Sequence, residues 1–217
     1  MKKIAVLIVV SLVLGFTTPA SSSTIFSLFS SGDEGWTASG ATVTRVSQGG
    51  NQGGYLRVED NRDDTFSLFA PAKFYGDLLK YDGGLLTYDV LLINPTTIGN
   101  IGSGFGRIQL LGGGSNATFD YAPNPSVPSA DFWKQYQVPL TAGAWNTTQE
   151  NWETVLSGVT TLDIILEPTG NSTVGLDNFK FQNPVPPGHT VVNPEPATFL
   201  LLGSGLLGAF ARRRKRA

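Results

Sequence analysis

Between Tyr55 and Phe181 most of the chain falls into short segments in which apolar residues recur at every second position, the pattern of strands. Leu56 and Val58 alternate with Arg57 and Glu59, and Phe66 and Leu68 share one side of Thr65–Ala70. Both segments read as half-buried antiparallel strands. Leu85–Ile93 carries Leu86, Tyr88, Val90 and Leu92 on one face and is apolar enough to be a central strand. Arg107–Leu111, Asn116–Tyr121, Trp133–Leu140, Thr161–Glu167 and Val174–Phe181 continue the pattern. Gly112-Gly113-Gly114 and Pro123-Asn124-Pro125 supply turns between them. Many short strands at turn-punctuated spacing predict an all-β, antiparallel jelly-roll β-sandwich. One stretch breaks the period: Thr147 and Glu150 form a capping box, Trp152, Val155 and Leu156 follow at helical spacing, and Gly158 closes the turn. A single short helix over one end of the sandwich is expected.

The two ends of the chain are of a different kind. Lys2 and Lys3, the apolar run Ile4–Phe16 and the small-residue site Thr18-Pro19-Ala20 predict a signal peptide over residues 1–20. At the other end Pro194, Glu195 and Pro196 precede the 15-residue apolar segment Ala197–Ala211, which is followed by Arg212, Arg213, Arg214, Lys215 and Arg216. The prolines hold the entry extended, the apolar run favours lipid, and the cations stay on the cytoplasmic side. At about 1.5 Å per residue the run covers only about 22 Å of a roughly 30 Å hydrocarbon core, which suits a segment that is cut off. An ordinary tail anchor or a buried C-terminal helix is the plainer alternative. The order of triplet, apolar helix and cation cluster over 193–217 resembles the PEP-CTERM sorting signal. That resemblance implies an exosortase-type membrane protease as partner, membrane residence before processing, and delivery to the cell surface or the extracellular space. Residues 183–192 are Pro-rich and read as a linker, which leaves 21–182 as the exported domain.

Composition bears on what that domain can bind. Seven of the 15 Lys and Arg lie in the two terminal signals, but only Glu195 of the 17 acidic residues does. Eight cations and 16 carboxylates remain between them, a formal charge of −8. This balance excludes nucleic acid, which needs clustered cations, and favours divalent cations. No cysteine is present, so neither disulfides nor thiol chemistry are available, and about 160 residues suffice for one unstapled core.

A second resemblance covers about residues 26–181. Gly32-Asp33-Glu34-Gly35-Trp36, Gly53-Gly54-Tyr55-Leu56 with Glu59-Asp60-Asn61, Phe69–Phe74 with Gly76-Asp77, and Gly83-Gly84-Leu85-Leu86 with Tyr88-Asp89 follow in order. Trp133 with Tyr136, Val138 and Leu140, then Val155-Leu156, Val159-Thr160 and the closing Gly175-Leu176-Asp177-Asn178-Phe179 complete it. Together they resemble the laminin IV (laminin B) domain, which implies a galactose-binding-like jelly roll in an extracellular, matrix-associated setting. The chain departs from the animal domains in lacking cysteine and EGF-like neighbours.

The chemical inventory is thin. The one histidine, His189, falls in the linker, so neither a Cys-His nor a Ser-His-Asp site can be built in the domain. Paired carboxylates could serve a glycosidase. Asp60, Asp63, Asp64, Asp77 and Asp82, however, sit where turns are expected. No catalytic residues are assigned. Of the four tryptophans, Trp36 and Trp152 are expected in the core. Trp145, between small and polar neighbours, is the candidate for an exposed sugar-stacking face. Asp33, Glu34 and Asp177 are candidate ligands for a structural calcium tying the first loop to the last strand, the plain alternative being turn capping and solvated charge. The sequence thus points to an exported, exosortase-processed, non-enzymatic surface or matrix protein that binds or structures extracellular polysaccharide. A secreted carbohydrate-active enzyme on the same scaffold and a permanently anchored periplasmic receptor are the alternatives.

Overall fold

The computed structural model describes residues 24–60, 65–95, 104–121 and 128–185. The signal peptide, the sorting tail, His189, Asp63 and Asp64 lie outside the described residues. The strands are β1 (Ile25–Ser27), β2 (Thr37–Ser39), β3 (Ala41–Gly50), β4 (Gly53–Asp60), β5 (Ser67–Phe69), β6 (Leu85–Asn94), β7 (Ile108–Gly112), β8 (Ser115–Phe119) and β9 (Lys134–Pro139). The helix α1 (Gln149–Leu156) follows, then β10 (Val159–Ile164) and β11 (Thr173–Gln182).

They form two antiparallel sheets packed face to face. The first has the order β3-β4-β11-β6-β9, with β1 extending the β4 lane against β11; the second has the order β2-β5-β10-β7-β8. The fold is the expected all-β jelly roll with one short helix. Leu86, Tyr88, Val90 and Leu92 of β6 face inward, as do Leu56, Val58, Val174, Leu176, Phe179 and Phe181 from the same sheet. Leu68, Ile108, Leu110, Leu162 and Ile164 meet them from the second. Trp36 is buried as expected, its indole N–H donating to Ser27 Oγ at 2.9 Å and its ring set edge-on to Phe179.

Three strands carry no usable sequence signal. β1 and β2 are three residues long, and β3 (ATVTRVSQGG) is an edge strand whose residues are all half-buried or exposed. The helix begins one residue later than the capping-box reading places it. Thr148 is the N-cap, its Oγ1 accepting from Asn151 N–H at 3.2 Å, while the Thr147 hydroxyl accepts instead from the Asn151 side chain at 2.7 Å. Trp152, Val155 and Leu156 are buried as their spacing requires.

Candidate functional site

The outer faces of the two sheets are built differently. On the first sheet the hairpin joining β3 to β4 folds over the outer surface of β11 and β6. Glycine permits this: a Cβ at Gly50 would lie 2.4 Å from the Gly54 carbonyl oxygen, and one at Gly175 would lie 2.6 Å from the Trp133 ring. Trp133 stands edge-on to Tyr55 and donates its indole N–H to the Gly49 carbonyl at 3.0 Å. Beneath this cover Asp89 and Asp177, opposite each other on β6 and β11, are each only 1% exposed.

Two asparagines clasp the pair. Asn51 donates its amide N–H to Asp177 Oδ2 and its side-chain nitrogen to Asp89 Oδ2, both at 2.7 Å. Asn178, at φ 50°, donates its N–H to Asp177 Oδ1 and its side-chain nitrogen to the same Asp89 Oδ2, again at 2.7 Å. Asp89 Oδ1 is buried without a hydrogen-bond partner. Burial pushes the Asp177 carboxyl up to about 6, against the pull of the two N–H bonds and with help from Asp89 and Glu34.

The three calcium candidates do not converge. Asp33 closes a turn, its Oδ1 accepting from Gly35 N–H at 3.0 Å. Glu34 accepts from the N–H groups of Leu28 and Phe29 through Oε1 and pairs with Lys73 through Oε2. Burial raises the Glu34 carboxyl, but Lys73, Ser27 and the Phe29 N–H outweigh it and hold it below its ordinary value. Among the described residues no group of three or more acidic or histidine side chains is placed to hold a metal ion. Asp89, the group actually beside Asp177, was not singled out by sequence reasoning. The register of β6 against β11 was the missing information.

The second sheet leaves its outer face open. One residue from every strand lines up across it: Thr37, Phe69, Asp163, Gln109 and Thr118. Burial raises the Asp163 carboxyl and the charge of Arg107 lowers it, with the first effect the larger. At the β8 edge of this face a pocket of about 600 Å³ opens between the strand, the turn before α1 and the helix itself. Gly113 and Gly114, at φ 57° and 75°, make the tight hairpin that sets Gly112 opposite Ser115. In such a hairpin Asn116 and Thr118 turn their backbone groups away from β7. Asn151 of α1 confirms the direction by donating to the Asn116 carbonyl at 2.9 Å. The pocket lining therefore combines strand-edge backbone with Asn116, Thr118, Asn146, Thr147 and Asn151, and its sole charged residue is Asp120.

Trp145 corrects the sequence expectation. It borders the pocket but is 1% exposed, so it offers no open stacking face. Its ring packs 5.2 Å from Trp152 and 6.0 Å from Phe119, and its indole N–H is taken by the Pro139 carbonyl at 2.9 Å. The side chain seals the open edge of the sandwich beneath α1. Trp152 is likewise anchored, donating to Asp82 Oδ1 at 2.8 Å, so Asp82 is a structural acceptor. Asp77 also accepts a backbone N–H two residues on, as a turn former does, whereas Asp60 accepts the Asn171 N–H from across the fold.

Outside the described residues, 194–215 match the PEP-CTERM protein-sorting motif. The chain carries a PEP-CTERM sorting signal. That motif marks the protein for export with a membrane-anchored C-terminal segment. Comparison with curated proteins finds no match. Among solved structures the fold is similar to CtCBM11 (12% identity, TM-score 0.50, covering 77% of this chain and 99% of that one). It is also similar to the CBM22-1 xylan-binding domain of Paenibacillus barcinonensis Xyn10C (15% identity, TM-score 0.49, 74% and 94%). The L4b domain of human laminin alpha-2 is a further likeness (12% identity, TM-score 0.48, 64% and 96%). At these identities the likeness is one of fold.

Proposed function

We propose that this PEP-CTERM protein is released by an exosortase-type protease to the cell surface or extracellular matrix, where it binds extracellular polysaccharide without cleaving it. The observation that supports the reading is the pocket beside β8. Side-chain amides, hydroxyls and strand-edge backbone converge there on a space large enough for sugar residues, as the hydroxyl-rich surface of a glycan requires. A hydrolase needs two carboxyl groups flanking the scissile bond, and this lining supplies one, Asp120. A chain longer than the pocket would continue onto the row from Thr118 to Thr37. Titration of the exported protein with oligosaccharides from the cell's own polymer tests the assignment. Asn146→Gly should weaken binding by about tenfold, the loss of one well-made hydrogen bond to ligand. Unchanged affinity in both Asn146→Gly and Thr118→Val would move the site elsewhere, and release of reducing ends would favour the enzyme reading.

The cation reading keeps Asp177 and replaces Asp33 and Glu34 by Asp89. Asp89 and Asp177 would hold calcium, with the unpartnered Asp89 Oδ1 as a donor already stripped of water and the asparagine side-chain oxygens as neutral ligands. The ion would supply only stability, by joining the β3–β4 hairpin to β6 and β11. Thermal unfolding with calcium and with chelator checks it. A midpoint that does not move, or that moves equally in Asp89→Asn, counts against this site.

A further inference from the structure

The two ends of the domain leave it at one pole. Ile25 of β1 pairs with Phe181 of β11, and Gln182 pairs with Leu85 of β6, so the first and last strands reach that end side by side. Pro184 continues past Gly83, whose N–H donates to the Leu140 carbonyl at 2.7 Å. The same end carries exposed apolar side chains. Phe26 is 50% exposed, Leu79 39%, Leu85 36% and Val185 54%, and among the described residues only Phe132 joins them as an exposed large hydrophobic. Phe132 lies towards the other end, next to the segment in which Ser129 meets Leu91. Single exposed apolar residues need no explanation, but four grouped round the chain exits do. Phe26 stands opposite Lys180, and Lys80 follows Leu79, so cations accompany the apolar groups.

We propose that this pole is a membrane-contact surface, seated on the lipid interface while the sorting tail is still in the bilayer. The proposal rests on the reading of Ala197–Ala211 as a membrane segment. Only 11 residues, 186–196, separate Val185 from that segment, a span of at most about 40 Å when fully extended. So short a tether confines the domain near the bilayer at a high effective concentration, and it is the Val185 pole that the tether holds closest. Under that confinement a few side chains entering the headgroup boundary, with lysines near anionic lipid, suffice to set the orientation.

The cysteine-free sequence allows a direct test. The full-length chain, with one environment-sensitive fluorophore on Phe26→Cys, Leu79→Cys, Leu85→Cys or Phe132→Cys, is reconstituted into phosphatidylethanolamine/phosphatidylglycerol vesicles containing a headgroup-region quencher. Quenching at 26, 79 and 85 should exceed that at 132 by about twofold or more, as for side chains 5–10 Å into the interface. Equal quenching at all four positions would overturn the proposal. Protein that fails to float with the vesicles would instead overturn the membrane reading of the tail on which it rests. Glutamate at both 79 and 85 should abolish the difference while leaving flotation unchanged. Retention of the difference in that variant would also overturn the proposal.

Discussion

The two outer faces of this sandwich place similar polar groups under opposite conditions. On the first sheet, carboxylates and amides are shut beneath a glycine-rich hairpin and satisfy one another almost completely. On the second sheet, amides and hydroxyls line an open pocket, where Asn151 ties Ser115, the Asn116 carbonyl and Thr147 together and Asn146 stays exposed. Residue type alone therefore does not mark a recognition site. What matters is whether the backbone above the polar groups closes. Here glycines at 50, 54 and 175 close one face, and the turn before α1 leaves the other open.

The largest test of this contrast is to force the closed face open. Gly50→Ala puts a methyl group against the Gly54 carbonyl and Asp177, neither of which can retreat without breaking the hairpin. A loss of about 3 kcal/mol in urea unfolding is expected. Asn51→Ala should cost roughly 2 kcal/mol, because it removes one of two donors to a buried carboxylate.

The third test uses pH. The Asp177 carboxyl titrates near 6 in the folded protein and at its ordinary value of 3.8 when unfolded. Between those values the folded state holds the proton and the unfolded state has lost it. Stability contributed by this group is therefore present below about pH 4 and falls by roughly 2 kcal/mol as pH rises through 6. Asp177→Asn should flatten that slope in a series of denaturant melts in chelator, and a slope that persists would assign the proton elsewhere. On the open face the smallest effect is expected. Asn146 sits at φ 49°, so Asn146→Gly introduces no backbone strain and should change stability by no more than about 0.5 kcal/mol while weakening glycan binding. A large stability loss there would erase the distinction between the two faces.

Much of the scaffold is written in the alternation itself. Leu86, Tyr88, Val90 and Leu92 announce a central strand, and β6 lies between β11 and β9 as that pattern demands. The edge strand β3 offers little to read, because only Ala41 and Val43 of its residues pack against the core and none of the rest is buried. The site was less legible than the scaffold. Trp145 was misread from its small neighbours, since local composition does not reveal that Trp152 and Phe119 converge on it from the helix and β8. Asp177 was identified but its companion was not. Asp89 looks like any polar residue in an alternating strand until a register shift in β11 and the folded-over hairpin bury the pair together. Long-range pairing of that kind leaves no trace in local periodicity.

The position of β11 has a mechanical consequence. A strand at the sheet margin can be peeled, its hydrogen bonds breaking one after another under a small force. β11 instead runs through the middle of its sheet, held by β4 and β1 along one flank and by β6 along the other. Tension applied at Gln182 along the strand would load β11 against β1 and β6 at once. The ladders on both flanks would then be strained together in shear. A pull on the C-terminal end of the domain would thus meet a strand paired on both sides, not one that unzips from an edge.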